Sequence, residues 1–355
     1  MLIAGWLEAA DNWLFKNVPH AEWLALFGAA MAVLAVLYVA VRLLIGLKRF
    51  AGKALNFSRA LRAKASKSPG FRILLARPAG FGGGRAAKWL DRSLAFHLPV
   101  FSFGAPFSMV SMGRIKGGLT PAAIATARKR MARADADLFV WATRLGKGER
   151  GFEVYGLSRG GGLSPAGATL FSIALPGSFK AQTPNLARAA SYLIAKQLQP
   201  ALRDPQAFRA EKIRDLTAEL DAVLESRPAM SDELMGEIEA DFCAAGIRVA
   251  EELGELSALD KVISLRRRHL EEASLASDTG RMIMAKLELG RALIVRAEKQ
   301  FDQNVVKEAI ALLAQSVEGL RSDPTIQRAQ AASDALFKAQ AMIESRKRFS
   351  LNFGS

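Results

Sequence analysis

One cysteine and three histidines in 355 residues leave little material for several kinds of chemistry. A lone Cys243 excludes an internal disulfide framework and fits either a reducing compartment or simple core packing. His20, His97 and His269 are far apart, and none lies near Cys243, so no metal site is expected. A nucleophile–base arrangement on Cys243 would sit in the middle of a helix, where packing is the ordinary role. Acidic residues are scarce in one half only. Residues 1–180 hold 25 of the 49 Lys and Arg but 8 of the 34 Asp and Glu, whereas residues 181–355 hold 24 bases and 26 acids. The basic excess therefore belongs to the first half, where an anionic lipid surface is the nearest counter-charge, worth ~1 kcal/mol per Lys or Arg held close. Nucleic acid would accept the same sign, but RIKGG (114–118) and ARKRMAR (127–133) lack the interleaved aromatics of single-strand binders.

What is present is one long apolar run. From Trp23 to Val41 there is no charged residue, and the run resumes after Arg42 as far as Leu47. About 20 such residues span a ~30 Å hydrocarbon core. The pattern predicts a transmembrane helix over 22–47. Upstream, 1–21 carries Leu2, Ile3, Trp6, Leu7, Ala10, Trp13 and Leu14 at helical spacing, the mark of an amphipathic segment lying in the interface. Downstream, Arg42, Lys48, Arg49, Lys53, Arg59, Arg62, Lys64 and Lys67 stand without one acid among them. The positive-inside rule places the N-terminus outside and the bulk of the chain in the cytoplasm. Residues 48–69 then read as a basic juxtamembrane helix and linker against an anionic inner leaflet. Gly28, Ala32 and Ala35 would let two spans pack, so homo-oligomerisation stays open.

From Phe71 the period changes. FRILLAR (71–77) is a buried strand, and a glycine-rich turn leads into a helix over 85–96. PVFSFG (99–104) reads as a second strand, followed by a loop to Thr120. Thr120 caps a helix over 121–134 with Pro121 at its first position. Three strands at 138–145, 152–159 and 168–175 suggest an antiparallel meander, and Pro184 to Leu198 is amphipathic. Residues 70–200 are thus a small α/β domain with a mixed sheet. From 205 to 346 every segment is helical: 206–226, 229–253, 257–276, 280–301, 304–321 and 324–346. An offset of 44 residues aligns Gly246 with Gly290, Ala250 with Ile294, Val262 with Val306 and Leu265 with Ala309. That spacing suggests stacked helix pairs. The tail, 347–355, is expected to be disordered.

Two resemblances follow from these segments. In AKLELGRALIVRAEKQFDQNVVKEAIALLAQSVEGLRSDP, Leu289, Gly290 and Leu293 match a first helix and Ala309 with Leu313 a second. Pro324 opens a further unit, RAQAASDALFKAQ. The stretch resembles a tetratricopeptide repeat, with about seven extra residues between the two helices and without the usual aromatics. FRILLARPAG, a helix, then RADADLFVWATRL and two further strands make 71–200 similar to the amino-terminal domain of TolB. The carrying phrase is Ala136, Asp137, Leu138, Phe139 and Val140. TolB-like modules joined to tetratricopeptide repeats in bacterial proteins are similar as well. The resemblance implies protein interaction and carries no catalytic residues; the apolar span with its basic flank sets the expected location, the bacterial inner membrane.

The sharpest enzymatic feature is the loop Gly80 to Gly84. Gly82, Gly83 and Gly84 precede a helix, and Arg85 and Lys88 would add charge to a phosphate held on backbone amides. GFGGGRAAK matches neither phosphate-loop signature, and a flexible turn explains it. Asp135 and Asp137 read as a helix end and a strand start rather than an acid/base pair. Arg266, Arg267, Arg268 and His269 read as a solvated basic face. The expectation is a non-enzymatic, cofactor-free membrane adaptor that binds a protein partner through its helical repeats. The alternatives are a nucleotide- or phosphate-binding enzyme or sensor at Gly80–Gly84, and a membrane-tethered nucleic-acid binder.

Overall fold

The computed structural model describes residues 21–65, 70–77, 83–102, 105–115, 117–144, 151–159, 168–176, 184–198, 210–321 and 326–352. The chain divides into two units after Ala65. The expected interfacial segment over 1–21 lies outside the described residues except for Ala21, as do Lys67 and most of the glycine-rich loop.

The first unit holds one helix, α1 (Ala21–Ala65), 45 residues long, or about 67 Å at 1.5 Å per residue. Residues 26–48 are exposed throughout. Among the described residues it is the one helix long and apolar enough to cross a membrane. Arg42 bends back one turn: its Nε donates to the Tyr38 hydroxyl at 3.0 Å, and its guanidinium stands 5.3 Å from the ring centre. The basic stretch is not a separate helix. The helix passes Gly46 and Gly52 without interruption.

The second unit opens with a five-stranded mixed sheet of order β2-β1-β3-β4-β5. Its strands are β1 (Phe71–Ala76), β2 (Phe107–Met112), β3 (Leu138–Arg144), β4 (Gly151–Ser158) and β5 (Thr169–Pro176). β1 runs parallel to β2 and β3, while β3, β4 and β5 form the antiparallel meander. The register stacks Ile73, Leu138 and Ser158 in one row and Leu75, Val140 and Gly156 in the next. Alternation then sends Ile73, Leu75, Val140, Val154 and Ile173 to one face, under α2 (Gly83–Phe101) and α4 (Pro184–Leu198). α3 (Pro121–Ala134) packs on β3 from the opposite face through Ala123, Ala127 and Met131. Thr120 caps it, with its hydroxyl accepting from the Ala123 amide, and Asp135 ends it in the left-handed conformation at φ 50°.

One expected strand is a helix. The first three residues of PVFSFG belong to α2, which runs on to Phe101 with Pro99 inside it, and its last two lie outside the described residues. Leu90, Leu94, Leu98 and Phe101 recur at helical spacing and are all buried, so burial of that stripe outweighs the one backbone bond that Pro99 cannot make. His97 therefore lies within the helix, not at its end. The second strand comes later, as FSMVSM, inside the stretch expected to be a loop.

Six helices follow: α5 (Ala210–Ser226), α6 (Asp232–Leu253), α7 (Ser257–Leu275), α8 (Thr279–Lys299), α9 (Gln303–Leu320) and α10 (Ile326–Asn352). Side chains of Ser231, Asp278 and Asp302 cap α6, α8 and α9, and Gly254 ends α6 in the left-handed conformation. Each helix packs on its successor, and α6 also meets α8 as α8 meets α10. α10 continues to Asn352, through most of the stretch expected to be disordered. The α/β layer and the helices are not separate cores. One apolar cluster runs from Ile73 through Leu193 and Leu216 to Phe242, Leu293 and Ala339.

Candidate functional site

One concave feature lies on the helical array, along α6, α8 and α10. A cavity of about 570 Å³ is lined by Ala244, Ile247 and Glu251 of α6, Arg266 of α7, and Glu288 and Arg291 of α8, among others. A second, of about 290 Å³, continues it over Ile294 and Val295 of α8 to Ala331, Asp334 and Lys338 of α10. Ile247, Glu251 and Arg291 line both, so the two form one groove. Its floor is apolar, with Ile294 and Val295 buried, and its walls are charged, with Glu251, Arg291 and Asp334 exposed.

The groove is shaped by close helix approach. A methyl group on Gly290 would stand 2.7 Å from Leu313 Cγ, and one on Gly246 would stand 3.0 Å from Val262 Cγ2. Leu289, Gly290, Leu293, Ala309 and Leu313, the expected packing positions, are all buried where α8 meets α9. The 44-residue offset holds for the two glycines but not for what they face. Gly246 faces Ala258 and Val262, whereas Gly290 faces Ala309 and Leu313. The facing residues are therefore displaced by about two further helical turns, because Gly290 and Ala309 both stand farther from the connection between their helices than Gly246 and Ala258 do from theirs. Val262 is thus matched in contact by Leu313, not by Val306.

The basic cluster on α7 is a set of ties between helices rather than a solvated face. Arg266 Nη1 lies 3.0 Å from Glu288 on α8, and Arg267 donates to both carboxylate oxygens of Glu308 on α9 at 3.0 and 2.9 Å. Arg268 and His269 both hold Glu239 of α6, at 3.1 and 2.8 Å. Burial alone would push the Glu239 carboxyl up. The hydrogen bond and charge of His269, then the charges of Arg268 and Arg266, outweigh it and hold the group below the usual carboxylate value. Sequence spacing could not show these ties, since the partners lie tens of residues away on other helices. Cys243, one turn from Glu239, is buried, and burial pushes its thiol up to about 12. A thiol so protonated is no nucleophile at neutral pH.

The glycine-rich loop leads to a second concavity. α2 begins at Gly83, and Arg77, Gly84, Lys88, Asp91 and Ser111 line a cavity of about 430 Å³ at the carboxyl ends of β1 and β2. Gly82 and the Arg85 side chain lie outside the described residues. Asp135 and Asp137 are bound structurally. Arg159 lies 2.8 Å from Asp135, and the Asp137 carboxylate accepts the Arg72 amide at 2.8 Å. No group of three or more His, Cys, Asp or Glu able to hold a metal occurs among the described residues.

On α1, Arg42, Lys48, Arg62 and Lys64 are exposed and Arg59 is half-buried, while the Arg49 and Lys53 side chains lie outside the described residues. The described basic positions occupy one broad arc, and Phe50, Ala54, Phe57 and Leu61 fall between its ends. Against known proteins, no family model, no curated protein and no solved structure matches this chain, so its function is argued from its own geometry.

Proposed function

We propose that this protein is a membrane-anchored adaptor of the bacterial inner membrane, which holds a protein partner in the groove over α6, α8 and α10. The carrying observation is the groove itself: a continuous concavity across alternate helices of the array, apolar below and charged at the rim. Stacked helix pairs of the tetratricopeptide kind present such surfaces. α1 supplies the anchor, and the excess of bases after Arg42 favours a cytoplasmic bulk. The α/β layer, with a TolB-like order of elements, shares its core with the array and stiffens its first helix.

The test uses the full chain in membranes. Ala244 and Ala331 are exposed on the groove wall, so an Ala244→Arg/Ala331→Arg variant fills the groove and leaves the core intact. Crosslinking in native membranes should recover a defined partner with the wild type and lose it with this variant. Equal recovery by both would overturn the reading.

A second reading rests on the cavity at the carboxyl ends of β1 and β2, where a parallel sheet places ligands and where Arg77 and Lys88 offer positive charge. Calorimetry of the full chain with nucleotides and inorganic phosphate, against Lys88→Ala, tests it. Heat that disappears in the variant would favour it over the adaptor.

A further inference from the structure

The charges along the groove divide into those already satisfied and those that are not. Arg248 holds Glu252 at 2.6 Å, Arg266 holds Glu288 at 3.0 Å, and Lys338 holds Glu298 at 2.7 Å. Three charged side chains on the lining make no ion pair among the described residues: Glu251 on α6, Arg291 on α8 and Asp334 on α10. All three are exposed. They sit on successive helices of the groove, so the unspent charge alternates negative, positive, negative from α6 to α10. Apolar groups lie between them, with Ile247 beside Glu251, Ile294 and Val295 beside Arg291, and Ala335 beside Asp334.

We infer that the groove takes an extended peptide segment whose charges run basic, acidic, basic. The spacing follows from geometry. Packed helices lie ~8–10 Å apart, and a segment extended in the polyproline II form advances ~3.1 Å per residue with three residues per turn, so every third side chain faces the same way. A segment crossing α6, α8 and α10 therefore brings every third residue to a wall charge. Its cation meets Glu251, its carboxylate meets Arg291, and its second cation meets Asp334. The intervening aliphatic residues lie on Ile247, Ile294 and Val295. An arginine facing a carboxylate forms the stronger, bidentate contact, so Arg291 sets the register and the flanking acids reject the inverted pattern. A segment that runs the other way along the groove reads the same, because the pattern is symmetric about its acidic residue.

This inference rests on the adaptor reading and names the partner's chemistry. The probe is a fluorescein-labelled peptide, Ala-Lys-Ala-Leu-Glu-Ala-Leu-Lys-Ala. It is compared with its charge-inverted counterpart, Ala-Glu-Ala-Leu-Lys-Ala-Leu-Glu-Ala, and with a scramble of the first. Anisotropy is read with the full chain in nanodiscs. The first peptide should bind at least tenfold tighter than either control. Arg291→Glu should erase that preference, and the triple variant Glu251→Lys, Arg291→Glu, Asp334→Lys should prefer the inverted peptide. Because these residues are exposed, the reversal reads recognition rather than folding. Equal binding of the peptides, no binding, or a preference unchanged in Arg291→Glu would overturn the inference. A membrane partner lost by Ala244→Arg/Ala331→Arg but kept by Arg291→Glu would overturn it too, while leaving the adaptor reading in place.

Discussion

The Tyr192 hydroxyl donates to Asp241 at 2.8 Å, joining α4 of the α/β layer to α6 of the helical array across 49 residues of sequence. Lys196, one turn further along α4, closes the junction on Asp241 at 2.6 Å and on Glu237 at 2.8 Å. Burial would lower the lysine, but the hydrogen bonds to both carboxylates and their charge leave it raised. Burial first, then the charge of and hydrogen bond to Asp241, push the tyrosine up as well. Layer and array are therefore expected to unfold together. Tyr192→Phe should cost about 1 kcal/mol and Asp241→Ala about 2–3 kcal/mol, since the second strands a buried hydroxyl and loosens an ammonium. Denaturant unfolding followed at the tryptophans and by circular dichroism should shift as one transition. Two separate transitions would refute the coupling.

Gly290 tests the seam behind the groove. A side chain there meets Leu313 Cγ at 2.7 Å, so Leu313 must shift and Gly290→Ala should destabilise by about 1–3 kcal/mol. Leu313→Ala alone should cost about 2–5 kcal/mol through the cavity it leaves. The double variant should be more stable than the sum of the two losses requires, because the new methyl enters the vacated space. Strict additivity would show that the two residues do not press on one another.

Much of this architecture is legible in order but not in contact. Thr120-Pro121, Asp278-Thr279-Gly280 and Gly254 mark helix ends through cap chemistry, which acts within a few residues; helices begin at the first two and one stops at the third. Pro99 misleads because its local cost is small beside the buried stripe of Leu94, Leu98 and Phe101, a tertiary effect that no local rule weighs. The groove was still less visible. Glu251, Arg291 and Asp334 are unremarkable surface charges in one dimension, and only the stacking of alternate helices brings them to one concavity. Arg266 to His269 read as a solvated run for the same reason: each partner sits on another helix.

Glu239 sets an acid limit on the array. Its carboxyl is held below the unfolded value, so the unfolded chain binds the proton more readily. The stability it contributes is present above about pH 4.5 and is lost as pH falls through the lower, folded value. Glu239→Gln should be less stable than the wild type at pH 7, and the difference should shrink steadily below pH 4.5. A difference independent of pH over that range would show that the tie to Arg268 and His269 does not depend on charge.

Cys243 should be chemically silent in the folded protein. Its side chain is buried and its thiol is raised to about 12, so thiolate is scarce at pH 8. Reaction with an aromatic disulfide reagent should proceed only as fast as the helices open, and should become rapid in denaturant. Stoichiometric labelling within seconds of mixing would show that the cavity wall at Ala240 and Ala244 admits reagents to it.

The proposed orientation rests on an imbalance that can be moved. After the apolar run of α1, Arg42, Lys48, Arg49, Lys53, Arg59, Arg62 and Lys64 stand without an acid before Ala65; upstream lie Glu8, Asp11 and Glu22 against Lys16. Arg42 folds onto Tyr38, which shortens its reach and, in the proposed orientation, would suit a cation just inside the interface. Charges close to the end of the span weigh most, so Arg42, Lys48, Arg49 and Lys53 should dominate the choice. In inverted membrane vesicles added protease should reach residues 71–352, and in spheroplasts it should not. Replacing those four bases by Asn while placing three Lys between Asp11 and Glu22 should send a measurable fraction of the chain the other way. Protection unchanged in both preparations would mean that the folded mass of the second unit, rather than charge, fixes the topology.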